Sequence, residues 1–76
     1  MTMTTRGAYI LIIETNKERG LQYKRNLLEQ GAAKVDCVST REAGHKALRE
    51  NLAIEQVCLA GQVISRSEAV IQLSSA

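Results

Sequence analysis

The chain predicts an α/β domain in which three parallel strands alternate with three helices, a βαβαβα topology. The apolar run from Ile10 to Ile13 has no polar alternation, which is typical of a strand buried on both faces of a sheet. Helix-starting patterns, in which a hydroxyl residue is followed three positions later by Glu, begin at Thr15, Ser39 and Ser65. They recur about every 25 residues, the length of one strand, one helix and their connections. Because each follows an apolar segment, right-handed crossovers are expected.

Length and composition set the class of protein. We expect residues 1–7 to form a flexible leader and residues 8–76 a single domain. A chain of this size buries only about 60 to 65% of its unfolded surface, so its core is thin and association can add stability. No run approaches the roughly 18 apolar residues of a membrane span, and the start lacks the apolar stretch of a secretory signal. These features predict a soluble, cytoplasmic protein.

Charge and side-chain chemistry disfavour several functions. Ten basic and eight acidic residues are interleaved, and there are only two aromatic residues, which gives little support for nucleic-acid binding. A recognition helix over residues 64–73 would offer only Arg66 for contacts with DNA. Cys37 and Cys58 form no Cys-x-x-Cys pair and lie far in sequence from His45, so no metal site is expected. No nucleophile has a base at a suggestive spacing, and the chain is therefore not expected to be an enzyme.

The first strand and helix come from the segment after the leader. The stretch Ala8–Asn16 contains the buried central strand, and the capping box Thr15–Glu18 starts the helix. Gly31 is placed to end that helix in a left-handed conformation. Two neighbouring lines of helix residues are expected to face the sheet: Gly20, Tyr23 and Leu27, with Leu21 and Leu28 beside them.

The second unit reads as an edge strand followed by a closely packed helix. Lys34–Val38 alternates apolar and polar residues, as a half-exposed strand does, and Ser39–Glu42 repeats the capping box. The opposite, charged helix face, which includes His45, is interpreted as a solvated surface. The apolar face is built mainly from small residues that let a helix approach a sheet: Ala43, Gly44, Ala47, Leu48 and Leu52.

The third unit is the weakest. The strand Ile54–Ala60 is interrupted by Glu55 and Gln56, and Gly61 with Gln62 is interpreted as a turn. The capping box at Ser65 then starts a third helix.

Taken together, the segments ILIIETN, LLEQG, KVDCVSTREAGHKALREN and IEQVCLAG resemble the first three βα units of receiver domains of two-component response regulators. The resemblance implies a three-stranded parallel sheet of order 2-1-3, half of a receiver-like fold. It also implies a site at the carboxyl ends of the first and third strands. That the chain is a fragment of a longer protein, whose remaining strands lie elsewhere, is an interpretation of almost equal weight.

The resemblance places a degenerate pocket at Glu14, Thr15, Ala60 and Gly61. Receivers hold magnesium with an acidic pair after the first strand, and here the pair falls on Glu14 and Thr15, which leaves one carboxylate. The phosphoacceptor position falls on Ala60, or on Gly61 if the alignment shifts by one, and neither can accept a phosphoryl group. A lone Glu14 cannot supply the oxygen ligands that magnesium requires. We therefore expect no catalytic, cofactor-binding or metal-binding residues.

These features predict a non-catalytic, non-phosphorylatable pseudo-receiver that acts in signal transduction through protein–protein interaction. In a sheet of order 2-1-3 the third strand is unpaired on one side, so Gln56, Val57, Cys58 and Leu59 form a candidate interaction edge. Two copies could pair there as a homodimer of order 2-1-3-3-1-2, or another protein chain could bind. The alternative is a small anion- or nucleotide-binding module that uses the helix amino ends near Thr15, Ser39 and Ser65.

Overall fold

The computed structural model describes residues 4–74 as an α/β domain with a mixed, four-stranded sheet. The first three residues of the predicted leader and residues 75–76 of the predicted domain lie outside the described part. The elements are β1 (Tyr9–Ile13), α1 (Lys17–Glu29), β2 (Lys34–Val38), α2 (Arg41–Glu50), β3 (Gln56–Leu59), β4 (Gln62–Ser65) and α3 (Arg66–Ser74). The strand order is β2-β1-β3-β4. No helix in the described range has the length and apolar character needed to cross a membrane.

The α/β class and the parallel 2-1-3 core are confirmed, but a sheet of only three strands is wrong. β1 pairs in parallel with β2 and β3, and β4 then pairs antiparallel with β3. Ala60 and Gly61 both have positive φ angles, 53° and 80°, which is the backbone of a two-residue type I′ hairpin turn. The chain therefore turns straight back along β3 instead of entering a helix.

The fourth strand also removes the predicted free edge of the third. Leu59 pairs with Gln62, and Gln56 pairs with Ser65. Gln56, Val57 and Cys58 are buried. The expectation that Gln56, Val57, Cys58 and Leu59 form an unpaired edge is therefore wrong, because β4 occupies the hydrogen-bonding positions that a second copy was expected to use.

Both faces of the sheet are covered, which explains the unbroken apolar run of β1. Alternate residues of β1 point to opposite faces. On one face Ile10 and Ile12 pack with Leu27 of α1. On the other, Leu11 and Ile13 pack into a cluster with residues of α2, β3 and α3. The apolar run thus contributes to two small hydrophobic clusters, one on each face of the sheet.

Small residues let α2 approach the sheet closely, as predicted, although Leu52 lies beyond the helix and is exposed, and Gly20 does the same for α1. A Cβ added to Gly44 of α2 would lie 2.3 Å from Cδ1 of Ile13. A Cβ added to Gly20 of α1 would lie 3.1 Å from Sγ of Cys37. Each helix therefore contacts the strands through a position that a larger residue would disturb.

The helix caps correct two of the three predicted starts by one residue. Asn16, not Thr15, caps α1 by accepting a hydrogen bond from the Arg19 amide at 3.0 Å. Thr40, not Ser39, caps α2 in the same way. Ser65 accepts from the Glu68 amide at 3.1 Å at the start of α3, as predicted. In the first two units the strand-to-helix connection is thus one residue longer than expected.

The described part of the predicted leader is hydrogen-bonded to the domain. The amide of Gly7 donates to the carbonyl of Gly31 at 2.8 Å. The Nε2 amide of Gln56 donates to the carbonyl of Thr4 at 2.9 Å. Gly31 has a φ of 101°, which confirms the left-handed end of α1.

Candidate functional site

The four residues of the predicted pocket lie just beyond the carboxyl ends of β1 and β3. Ile13 is paired with Leu59, so the residues that follow β1 and β3 emerge side by side. Ala60 and Gly61 are both used in the hairpin turn. A Cβ on Gly61 would lie 3.0 Å from the hydroxyl oxygen of Tyr23, so the turn sits close against α1.

The Glu14 carboxylate interacts with residues at the start of α1. Its Oε2 accepts a hydrogen bond from the Asn16 amide at 3.0 Å and lies 3.9 Å from Nη1 of Arg19. The Glu14 side chain is only 12% exposed. Its carboxylate therefore stabilises the amino end of α1, where negative charge is favourable. Within residues 4–74 there is no group of three or more His, Cys, Asp or Glu side chains that could hold a metal ion.

A large cavity lies between the carboxyl ends of β1 and β2, on the other side of β1 from the hairpin. Its volume is about 450 Å³. Most of its wall is apolar, and the polar groups are those at the starts of α1 and α2. The lining residues are Glu14, Thr15, Lys17, Leu21, Cys37, Val38, Ser39 and Ala43. Sequence reasoning missed this cavity, because its shape depends on how α1 and α2 flank the strand ends.

A smaller cavity of about 240 Å³ lies between α1 and the β3–β4 hairpin. Tyr23 and Leu27 line it from the helix, and Cys58 and Val63 from the strands. Val63 is half-buried. Open space therefore remains between α1 and this side of β3 and β4.

The two thiols are free and differ in exposure. Cys37 is exposed and Cys58 is buried. Both are opposite Ile12, on either side of β1, which puts them two strand spacings, or about 10 Å, apart. A disulfide cannot span that distance. Burial raises the pKa of both thiols, and the nearby Lys24 ammonium opposes the rise at Cys37.

A polar network ties β1, β2 and the end of α2 together on the opposite face. The Tyr9 hydroxyl donates to Oδ2 of Asp36, and Nδ2 of Asn51 donates to the Tyr9 oxygen at 2.9 Å. The ammonium of Lys34 lies 4.9 Å from the centre of the Tyr9 ring. The hydrogen bond to Asp36 is the main reason that the pKa of Tyr9 is raised. His45 of α2 is half-buried rather than solvated, and it belongs to neither this network nor either cavity.

Two strand edges have no pairing strand within the described residues, the outer edges of β2 and β4. Beside β2, α1 exposes Leu21 at 57% and Leu28 at 45%. The prediction that these two leucines face the sheet is therefore wrong. Gly20 and Leu27 alone are the buried residues of α1, because one helix line fills the space over the strands.

Comparison with known proteins gave no relative: family models, curated proteins and solved structures were all searched without a match. The likeness to receiver domains thus rests on the sequence segments quoted above.

Proposed function

We propose that this chain is a non-catalytic, receiver-like regulatory module that takes no phosphoryl group and acts by binding other protein chains, including a second copy of itself. The observation that carries the proposal is the turn at Ala60 and Gly61. Where the resemblance places a phosphoacceptor, these residues form the two-residue turn that starts β4. The segment therefore extends the sheet in place of presenting a carboxylate.

The surroundings of the turn support the same conclusion. Glu14 is the carboxylate at this end of β1, and it accepts from the Asn16 amide and lies near Arg19. Magnesium sites for phosphoryl transfer need several free oxygen ligands. A carboxylate that already accepts from the Asn16 amide and lies near Arg19 does not supply them.

The open edges support binding to protein chains. With β3 covered, the outer edges of β2 and β4, which have no neighbouring strand among residues 4–74, present main-chain groups that favour pairing with another strand. Exposed leucines lie beside one of them. A small domain with a thin core also gains stability when it associates.

The alternative, an anion- or nucleotide-binding module, is favoured by the cavity at the starts of α1 and α2. Two features of that cavity are unfavourable for an anion: most of the wall is apolar, and the negatively charged Glu14 carboxylate is part of the lining. Protein binding is therefore the function that the geometry supports best.

Two measurements test the proposal. Incubation with acetyl phosphate and Mg²⁺, followed by intact mass, is expected to leave the chain unmodified while an active receiver domain is phosphorylated in parallel. A mass gain of one phosphoryl group would overturn the proposal. Sedimentation equilibrium over a wide concentration range is expected to show association that weakens when a strand edge carries an added charge, Cys37→Lys in β2 or Gln62→Lys in β4. Association unaffected by either change would reject the edges as binding sites.

A further inference from the structure

We propose that the second copy binds along one continuous surface, formed by the outer edge of β2 and by Leu21, Lys24 and Leu28 of α1. We call this the β2–α1 surface. The inference rests on the proposed function and names the partner and the place at which it binds.

The three α1 residues lie on the side of the helix next to β2. Leu21 and Leu28 are seven positions apart, two helical turns, so they share one line with Lys24 between them. Leu21 lines the large cavity together with Cys37 and Val38 of β2. The charge of Lys24 also acts on Cys37. Since Cys37 is exposed, it extends the surface from the helix to the strand edge.

Strand geometry brings two such surfaces together at the correct distance. Pairing of two β2 edges about a two-fold axis is antiparallel and gives a sheet of order 4-3-1-2-2-1-3-4. α1 packs on Ile10, Ile12 and Val35, so it lies over β1 and β2. The two copies of α1 would then be separated by two strand spacings, about 10 Å. Helices pack at about 8 to 10 Å, so the two α1 helices would touch.

The contacts in such a pair are self-complementary. The helices run in opposite directions, so Leu21 lies beside the partner's Leu28, and Leu28 beside the partner's Leu21. On the other face of the sheet, a pairing centred on Asp36 sets the two Asp36 carboxylates opposite each other. It also sets each Lys34 diagonally across from the partner's Asp36, at about 7 to 8 Å. The two lysines offset the repulsion between the two aspartates.

The β4 edge is a poorer choice for the second copy. α1 covers β1 and β2 on its side of the sheet, whereas Val63 of β4 is half-buried there and a small cavity remains next to Cys58. Joining two β4 edges would place two incompletely covered strips side by side. Joining two β2 edges instead covers the exposed leucines of both copies.

Lys24 is the group that opposes this dimer. It lies between the two leucines, near the two-fold axis, so the pair would bring the Lys24 ammonium groups of both copies together. Their repulsion is screened by salt, and the dimer is expected to tighten as ionic strength rises. Replacement by Leu removes the repulsion and extends the apolar line.

Sedimentation equilibrium on matched variants tests the inference. The double change Leu21→Lys with Leu28→Lys is expected to raise the dimer dissociation constant by at least about tenfold, and Lys24→Leu to lower it by at least about tenfold. Leu52→Lys is the control, since Leu52 is 82% exposed and lies outside the surface. It is expected to leave the constant unchanged. Circular dichroism confirms that each variant is folded.

A second measurement uses the thiol on the surface. A short bismaleimide is expected to join two chains through Cys37, and Cys37→Ser to abolish the cross-link. The inference would be overturned if the wild-type chain and the Lys24→Leu variant were both monomeric. It would also be overturned if the dimer tolerated the double change Leu21→Lys with Leu28→Lys. A dimer lost on Gln62→Lys but kept in the double variant would move the interface to β4, overturning the inference while the proposed function stands. Phosphoryl uptake would overturn the proposed function instead.

Discussion

The guanidinium of Arg66, the first residue of α3, donates a hydrogen bond to the main-chain carbonyl of Leu48 in the last turn of α2. The same group donates to the carbonyls of Asn51 at 3.0 Å and Ile54 at 2.9 Å. At the other end of the pair, Nη2 of Arg41 donates to the carbonyl of Gln72 at 2.9 Å. Two arginines thus hold α2 and α3 antiparallel, and Arg66 has a structural role.

Replacing Arg66 should destabilise the domain. Arg66→Ala removes donors from three carbonyls, one in the last turn of α2 and two in the loop that follows it, and we expect the free energy of unfolding to fall by about 2 kcal/mol. Arg66→Lys should recover little of the loss, because an ammonium cannot reproduce the guanidinium fork. Urea denaturation measures both. Arg49→Ala, at an exposed position of α2, is the control and should stay within about 0.5 kcal/mol of wild type. Equal losses at both arginines would contradict the assigned role.

In the turn at Ala60 we expect a substitution that stabilises the domain. A non-glycine residue at a φ of 53° is strained, so Ala60→Gly should raise the free energy of unfolding by about 1 kcal/mol. Ala53→Gly, in an exposed loop without a positive φ, should give no gain. Thermal unfolding monitored by circular dichroism compares the two variants. A loss of stability in Ala60→Gly would show that the hairpin does not form as described.

This hairpin also explains what the sequence could not predict. Gly61 indicated a turn, but a turn into a helix and a turn into a short strand begin alike. Gln62–Ser65 has only four residues, and Ser65 both ends β4 and caps α3. By contrast, β2 was predicted with its observed limits because its alternation is regular, and the 2-1-3 order implied by the receiver resemblance matches the observed core.

The candidate site was predictable only where strand ends determine it. Glu14 and Ala60 emerge side by side because paired parallel strands have their carboxyl ends at the same end of the sheet. The position of the large cavity depends on helix spacing, which Gly20 and Gly44 set through tertiary contacts. The exposed line of Leu21 and Leu28 was missed for a similar reason, since only the width of the sheet decides which of two adjacent helix lines is buried.

The phenol of Tyr9 should lose its proton at a higher pH than an ordinary tyrosine does. Its hydrogen bond to Asp36 favours the protonated form and raises the pKa of Tyr9 above the ordinary value of about 10. Because the folded pKa is the higher one, the stabilisation is complete below about pH 10 and is lost as the pH rises through the folded value. Absorbance titration of wild type against Tyr9→Phe isolates this group. A midpoint at or below about 10 would rule out the effect, and the stability difference between the two chains should shrink at high pH.

The two thiols should react at different stages of unfolding. Burial raises the pKa of Cys37 and of Cys58, so both hold less thiolate at neutral pH than a free cysteine does. Under native conditions, at a concentration at which the chain is monomeric, a maleimide should label Cys37 alone, more slowly than it labels glutathione, and Cys58 should react only in urea. Mass spectrometry counts the labels, and Cys37→Ser should remove the native label. Rapid native labelling of Cys58 would show that β3 is accessible.

Gly44 of α2 and Gly20 of α1 both lie where a helix closely approaches the sheet, so the effects of replacing each by Ala can be compared. Ala in place of either glycine gains about 1 kcal/mol of helix propensity. At Gly44 the new Cβ would meet Cδ1 of Ile13 at 2.3 Å, so Gly44→Ala should destabilise the domain by about 1 to 3 kcal/mol overall. At Gly20 the nearest atom is Sγ of Cys37 at 3.1 Å, which a small shift accommodates, and Gly20→Ala should stay within about 1 kcal/mol of wild type.

Ile13→Val removes the methyl group that the Gly44→Ala side chain would contact. By itself it should cost about 1 kcal/mol, the usual result of deleting one buried methyl group. Combined with Gly44→Ala, the loss should be smaller than the sum of the two single losses, because the closest contact, with Cδ1, is gone and only the 2.8 Å approach to Cγ1 remains. Urea denaturation of the four chains gives this coupling. Strict additivity would mean that α2 avoids Ile13 by moving away from the sheet.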